Sequence, residues 1–390
     1  MSEYITRRDA VKRGLAATSL LALLPDGAVP ALAQSESIVP FTDLPANFNP
    51  TPSPERRTLD IRKIEGPLTP KDQFFTTQHL GHPVIDPATF ALQVSGLVER
   101  PKSFSLDELR KMRSTELVFG FECSGNRRPL QGLASNGRWT GVPLRAVLGP
   151  AGVKPQAREF VFFGADHGAE DVDFRGVIHT VDQQFGRSLP REIALSPEPL
   201  LAYALNGEPL TRHQGFPLRL LVPGWYGVAH VKWLANIHVQ EDPYLGKYQA
   251  RWYRTLKGET IGGEVKWKES AITRMQLKSF IARVTRDGSR DGSRHKVLGV
   301  VLNDGTPLKS VEVRVDDGPW QPAAMDPDTS GKYSWKLFTY AWNVATPGEH
   351  TLVSRVTDVT GKVQPTAEEL ATKKTFLEDN SQFPRKVTIS

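Results

Sequence analysis

Two hydrophobic patterns share this chain, and they change over near residue 270. Upstream, short apolar runs alternate with turns. Phe90-Ala91-Leu92-Gln93-Val94, Glu159-Phe160-Val161-Phe162-Phe163 and Leu218-Arg219-Leu220-Leu221-Val222 read as strands, the last ended by Pro223 and Gly224. Among them the run from Ser105 to Met112 has helical spacing, with Ser105 as the capping residue. Beyond Lys278 the helical spacing fades, and strands are predicted at 296–302, 310–315, 334–338 and 350–357, separated by turns such as Asn303-Asp304-Gly305 and Asp316-Asp317-Gly318. The pattern predicts an α+β chain: a mixed α/β unit over 72–270, then an all-β sandwich over 271–390. Residues 34–71, with Pro40, Pro45, Pro50, Pro52 and Pro54, read as an extended arm laid on the surface. The duplicated Asp287-Gly288-Ser289-Arg290 and Asp291-Gly292-Ser293-Arg294 reads as a flexible hairpin tip.

The amino terminus has a different grammar. Thr6-Arg7-Arg8-Asp9 precedes an apolar stretch from Gly14 to Leu24, and Ala31-Leu32-Ala33 follows before Gln34. That order is a twin-arginine export signal over 1–33, which places the mature chain in the periplasm. The apolar stretch is too short to cross a bilayer, and no second one is longer, so no membrane span is expected. Lys and Arg number 49 against 43 Asp and Glu, a net charge of +6. Without the signal's four basic and three acidic residues this becomes +5, spread too evenly for a nucleic-acid partner. The mature length exceeds what one hydrophobic core usually serves, in keeping with two domains.

Candidate chemistry centres on the single cysteine. Cys123 sits in Gly120-Phe121-Glu122-Cys123-Ser124-Gly125-Asn126-Arg127-Arg128, directly after a strand-like stretch. A lone thiol cannot close an internal disulfide, which leaves packing, nucleophilic chemistry or soft-metal ligation. Packing is the ordinary role of a free cysteine. The glycine-hinged, arginine-rich setting favours function instead, because Arg127 and Arg128 would stabilise a thiolate and attract an anion. One cysteine also excludes a Cys-x-x-Cys-His haem attachment.

Several separated motifs resemble the sulfite oxidase family of molybdenum enzymes, in the family's order from about Phe74 to Lys336. They are Cys123-Ser124-Gly125-Asn126-Arg127-Arg128, Gly137-Arg138-Trp139-Thr140-Gly141-Val142, the run from Leu201 to Leu210, Gly215-Phe216-Pro217-Leu218-Arg219, Val222-Pro223-Gly224 and His230-Val231-Lys232-Trp233-Leu234. The resemblance implies a molybdopterin-binding catalytic domain of sulfite oxidase type followed by an immunoglobulin-like domain, the latter commonly a homodimer interface. It implies that Cys123 binds molybdenum, for which a soft thiolate is suited. Phe75, Thr76, Thr77, Gln78, His79, Asp166, Gln214, Arg219, His230, Val231 and Lys232 would hold the molybdopterin. Arg128, Trp139, Tyr253 and Lys336 would face a small sulfur oxyanion, with the guanidinium of Arg128 holding it through two directed hydrogen bonds.

Three positions depart from the family pattern. Thr77 stands where an arginine is usual, Gln214 replaces a histidine beside His213, and Lys336 replaces a distal arginine and loses its bidentate fork. The resemblance implies a haem-free sulfite dehydrogenase passing electrons to an external c-type cytochrome. An S-oxide reductase or another sulfur-compound dehydrogenase is the second reading. A thiol enzyme without molybdenum, and an exported binding or scaffold protein, are the remaining two.

Overall fold

The computed structural model describes residues 36–45, 56–127, 129–288, 294–326 and 331–390. The export segment, Arg128 and the centre of the duplicated Asp-Gly-Ser-Arg run lie outside the described residues. Strand dominates, and the α-helices among the described residues are short: Leu106–Lys111, Leu144–Ala151 and Arg191–Ala194. Helix is therefore a smaller part of the upstream unit than a mixed α/β reading implies. The first helix starts where the sequence places it. The Ser105 hydroxyl accepts the Glu108 N–H at 3.2 Å, and the Glu108 carboxylate accepts the Ser105 N–H at 2.8 Å, a reciprocal cap.

Two five-stranded sheets build the upstream part. One runs in the order Lys102–Ser105, Ala91–Gly96, Leu234–Gln240, Glu159–Phe174, Val177–Pro190. The other runs Arg219–Leu221, Leu200–Leu205, Ala134–Pro143, Thr115–Glu122, with Glu208–Pro209 paired to Leu200–Leu205. Between them lies an apolar core that includes Val94, Leu148, Phe160, Leu220 and Ile237. A second cluster, rich in aromatics, gathers Phe74, Phe119, Phe121 and Trp139 beside the candidate site. Each such side chain removed from water contributes on the order of 1.5–3 kcal/mol. Among the described residues, no helix is long and apolar enough to cross a membrane.

From Lys278 onward the described elements are seven strands, joined with Glu36–Val39 in one eight-stranded sheet path whose two ends pack together. Ile281, Val284 and Val297 meet Leu352, Val387 and Ile389 in one cluster, while Phe280 and Ala282 join another. The strand Lys278–Asp287 can serve both because a bulge between Ile281 and Arg283 switches its parity, so Val284 falls on the side of Ile281.

The proline-rich arm does more than lie on the surface. Glu36–Val39 pairs with Lys278–Asp287, and Phe41, Leu59, Ile61 and Ile64 are buried in the downstream clusters. Isolated apolar residues in its described parts reach a core that local periodicity does not reveal.

Candidate active site

A cleft of about 680 Å³ opens between the two upstream sheets and the segment after Leu234–Gln240, and Cys123 stands in its wall. The thiol is placed by strand geometry. Thr115–Glu122 pairs with Ala134–Pro143 through Glu122, and the chain then turns, with the Cys123 N–H on the Leu133 carbonyl and the Asn126 N–H on the Cys123 carbonyl. Behind this turn lies a buried charged lock. Lys278 Nζ meets Glu122 Oε2 at 2.9 Å with both side chains 1% exposed, and donates to the Asn126 carbonyl at 3.0 Å. The Asn126 amide donates to Glu122 Oε2 and to the Gln131 carbonyl, and its oxygen accepts the Leu133 N–H. Burial pushes the Glu122 carboxyl upward while Lys278 and Asn126 draw it back.

Of the two arginines expected to activate the thiol, Arg128 lies outside the described residues and Arg127 is engaged elsewhere. Burial pushes the Cys123 thiol up, and Arg127 turns away, its guanidinium 4.8 Å from the centre of the Phe376 ring. Burial favours the neutral thiol, and a bound metal would favour the thiolate.

The opposite wall is cationic and unmatched. Arg219, on Arg219–Leu221, donates to the Gln214 carbonyl at 2.9 Å and lies 5.1 Å from the Trp139 ring centre, and its Nε has no partner. No carboxylate among the described residues pairs with it, and desolvation draws its pKa down to about 9. Lys232 reaches only neutral groups, Thr76 Oγ1 at 3.5 Å and the His213 carbonyl at 3.3 Å, and falls to about 7 through burial and the Arg219 charge, with Asp166 pulling it back. Asp166 is raised to about 6 by burial, and its Oδ1 has no partner.

Backbone detail fixes Lys232. Gly215 adopts φ +101, and a Cβ there would lie 3.0 Å from the Lys232 Cα, so only glycine lets the turn approach. Trp233 is held at φ +50, a costly conformation for a bulky residue, with its indole N–H on the Arg212 carbonyl at 2.8 Å.

Two histidines line the cleft in different ways. His230 Nδ1 accepts the Val222 N–H at 3.0 Å, so its Nε2 carries the proton and donates to the Trp225 carbonyl at 3.0 Å. Burial and the Arg219 charge hold it near 3, and it offers the cleft a neutral ring rather than a free donor. His79 contacts Tyr253 Oη through Nε2 at 2.6 Å and stacks on Tyr248. Burial, then the charges of Lys247 and Lys232, lower it to about 4, while burial raises Tyr253, so both are neutral at pH 7.

Cys123, Phe75, Thr76, Thr77, Gln78, His79, Asp166, Arg219, His230, Lys232 and Tyr253 all line this cleft. Four expected residues do not. Trp139 is fully buried in the aromatic core, and Val231 packs in the first core with its carbonyl on the Leu220 N–H. Gln214 caps its own turn, accepting the Thr211 N–H and donating to the Lys71 carbonyl, and His213 lines the cleft in its place. Lys336 donates to the Gly331 carbonyl at 2.7 Å, outside the cleft lining. Arg128 is outside the described residues. Phe121, Phe185, Val228 and Trp233 are further lining residues. Alternation marks Phe121 and Phe185 as inward-facing strand positions, but which inward positions meet a cleft depends on packing between sheets.

The profile of the oxidoreductase molybdopterin binding domain matches residues 79–248. Sulfite oxidase from Gallus gallus is 30% identical over 321 residues, covering 76% of this chain and 68% of that protein. The chain belongs to the sulfite oxidase family. Mitochondrial sulfite oxidase from Mus musculus is 30% identical over 343 residues, which cover 82% of this chain, and the chain spans 60% of the length of that relative. The crystal structure of the sulfane dehydrogenase SoxCD from Paracoccus pantotrophus shares the fold, with a TM-score of 0.71 at 24% identity over 87% of this chain and 88% of that one. The family's cofactor fits the residues present. Molybdopterin carries a phosphate, and this cleft holds a buried guanidinium and an ammonium that form no ion pair among the described residues, an orphaned Arg219 Nε and a single soft thiol. Arg219, Lys232 and Thr76 would hold the anionic end and Cys123 the metal.

Proposed function

We propose that this chain is a periplasmic, molybdenum-dependent sulfite dehydrogenase, exported by the twin-arginine route, that passes electrons to an external c-type cytochrome. One observation carries the reading: the lone thiol shares a cleft with buried Arg219 and Lys232, whose hydrogen bonds reach only neutral oxygens. The sulfite oxidase relatives supply the substrate class. The overall reaction takes sulfite and water to sulfate, two protons and two electrons. When bound, the metal supplies the two-electron exchange and the oxygen-transfer chemistry.

The chain's own residues orient and protonate. Tyr253 stays a phenol, so it can donate a hydrogen bond to a substrate oxygen provided that His79 presents an Nε2–H to its oxygen. Phe75, Phe121 and Val228 make the cleft wall apolar, which strengthens that bond by excluding water. The strands from Lys278 onward we read as the family's immunoglobulin-like domain.

A second reading has a specific support. Thr77 brings no charge to the cleft, and the Lys336 amine is engaged with the Gly331 carbonyl, so neither position adds the charge that the family's arginines would bring. This suits an S-oxide reductase or a dehydrogenase of another sulfur compound. Protein matured in a host that makes the pterin should contain about one molybdenum per chain and reduce ferricyanide on addition of sulfite. Cys123→Ala should remain folded and lose the metal, cutting turnover more than about a hundredfold. Reduction of dimethyl sulfoxide by a viologen donor, without sulfite turnover, would move the assignment to the second reading.

A further inference from the structure

The strand pair that carries Asp166 and Phe185 into the cleft continues far beyond it. Leu234–Gln240 pairs with Glu159–Phe174 only as far as Gly164, whereas Val177–Pro190 stays paired from His167 to the tip at Phe174. The outer part is therefore a two-stranded ribbon, a structure that is marginal in water without something to pack on. It nevertheless displays apolar side chains: Phe174 is 65% exposed, Val177 55% and Val181 41%.

Register puts these on one face. Phe174 opposes Val177, Val172 opposes His179 and Glu170 opposes Val181, so alternate positions align them in a row. The row leads back to the cleft. Glu170 binds Lys247 at 2.8 Å and Arg251 at 3.6 Å, Lys247 Nζ lies 4.0 Å from the Trp252 ring centre, and Trp252 meets His79 edge-on. Trp252 is itself 54% exposed.

Charge separates this ribbon from the rest of the molecule. Residues 167–184 hold Glu170, Asp171, Asp173 and Asp182 against Arg175 alone, a net charge of −3 on a chain whose total is +6. The apolar row begins at the mouth of a redox cleft, and Asp171, Asp173 and Asp182 stand on the opposite face of the same thin ribbon, where their field draws a basic partner toward it.

We propose that the ribbon 167–184 is the docking platform for the electron-accepting protein, a one-electron carrier with a basic rim. This rests on the sulfite dehydrogenase reading. Each turnover leaves two electrons and each ferric haem takes one, so two dockings must follow each other, which requires a small interface with rapid release.

The test uses the full mature protein and ferric cytochrome c of basic isoelectric point. Two double variants, Phe174→Ser with Val177→Ser and Asp171→Lys with Asp182→Lys, should each weaken cytochrome binding about tenfold by surface plasmon resonance and raise the KM for cytochrome c similarly. Wild-type binding should weaken as salt is raised. Sulfite turnover with ferricyanide should be unchanged in both variants. Unaltered cytochrome binding overturns the proposal. So does an equal loss of ferricyanide turnover, which would make the ribbon a support for the cleft, and so does a shift from dimer to monomer in sedimentation, which would make a second copy the occupant. If wild-type protein does not oxidise sulfite with ferricyanide, the substrate reading fails, and the binding measurement still decides the surface.

Discussion

Cys123 stands between two buried charged clusters of opposite design. Behind it, Glu122, Lys278 and Asn126 satisfy one another so fully that both charges are almost sealed from solvent. In front, Arg219 and Lys232 are desolvated, and their hydrogen bonds reach only carbonyl and hydroxyl oxygens. A buried charge is costly in either setting. Where the protein supplies the partner, the cost secures a geometry, here the turn that presents the thiol. Where it does not, the cost is recovered when an anionic ligand arrives, so the unmatched cluster marks a binding site and the matched one a scaffold.

The contrast can be broken from the scaffold side with the largest effect. Lys278→Met leaves the Glu122 carboxylate buried without its cation, and should destabilise the protein by about 3–5 kcal/mol in urea unfolding. Adding Glu122→Gln should recover part of that loss; no recovery would mean the pair acts through packing alone. The cleft side should behave in the opposite way. Arg219→Met should leave the cofactor-free protein as stable as before or more so, while pterin retention after gel filtration falls about tenfold through the lost charge-assisted hydrogen bonds. A cofactor-free protein strongly destabilised by Arg219→Met would erase the distinction between the clusters.

A smaller effect follows from pH. Lys232 titrates at about 7 in the folded protein, below its ordinary range, so its charge is present below that pH and lost above it. Asp166, at about 6, gains its negative charge over the same interval, while Arg219 at about 9 stays charged and His79 and His230 stay neutral. Sulfate, which does not titrate there, should bind the cofactor-free protein about fivefold more weakly at pH 8 than at pH 6 by calorimetry. Because the unfolded chain keeps this lysine protonated up to about 10.5, the contribution of Lys232 to stability rises with pH between 7 and that value. Flat sulfate binding would place the anion away from Lys232.

Much of the cleft was legible from motifs because its residues follow one another along short segments. His79, Arg219 and Lys232 each sit within a few residues of a turn or strand end that the local pattern marks. Errors arose where neighbours in sequence point apart. Gln214 and His213 are adjacent, yet the tight turn Arg212–Gln214 sends the amide to its own backbone and the imidazole to the cleft. Trp139 lies on Ala134–Pro143, buried on its aromatic side, where the same residue could have faced either the core or a substrate. The burial of Ile61 and Phe41 was equally hidden, since single apolar residues in a proline-rich stretch carry no period.

By itself the sequence determined what local chemistry controls: where strands and the Ser105 cap begin, that one soft thiol follows a strand, and that the chain shares the order of motifs of its family. The tertiary structure decided which charges would be matched. Lys278 is distant from Glu122 in sequence and Arg219 is distant from Cys123, and pairing across such separations depends on how sheets pack, a long-range property that neither periodicity nor spacing encodes.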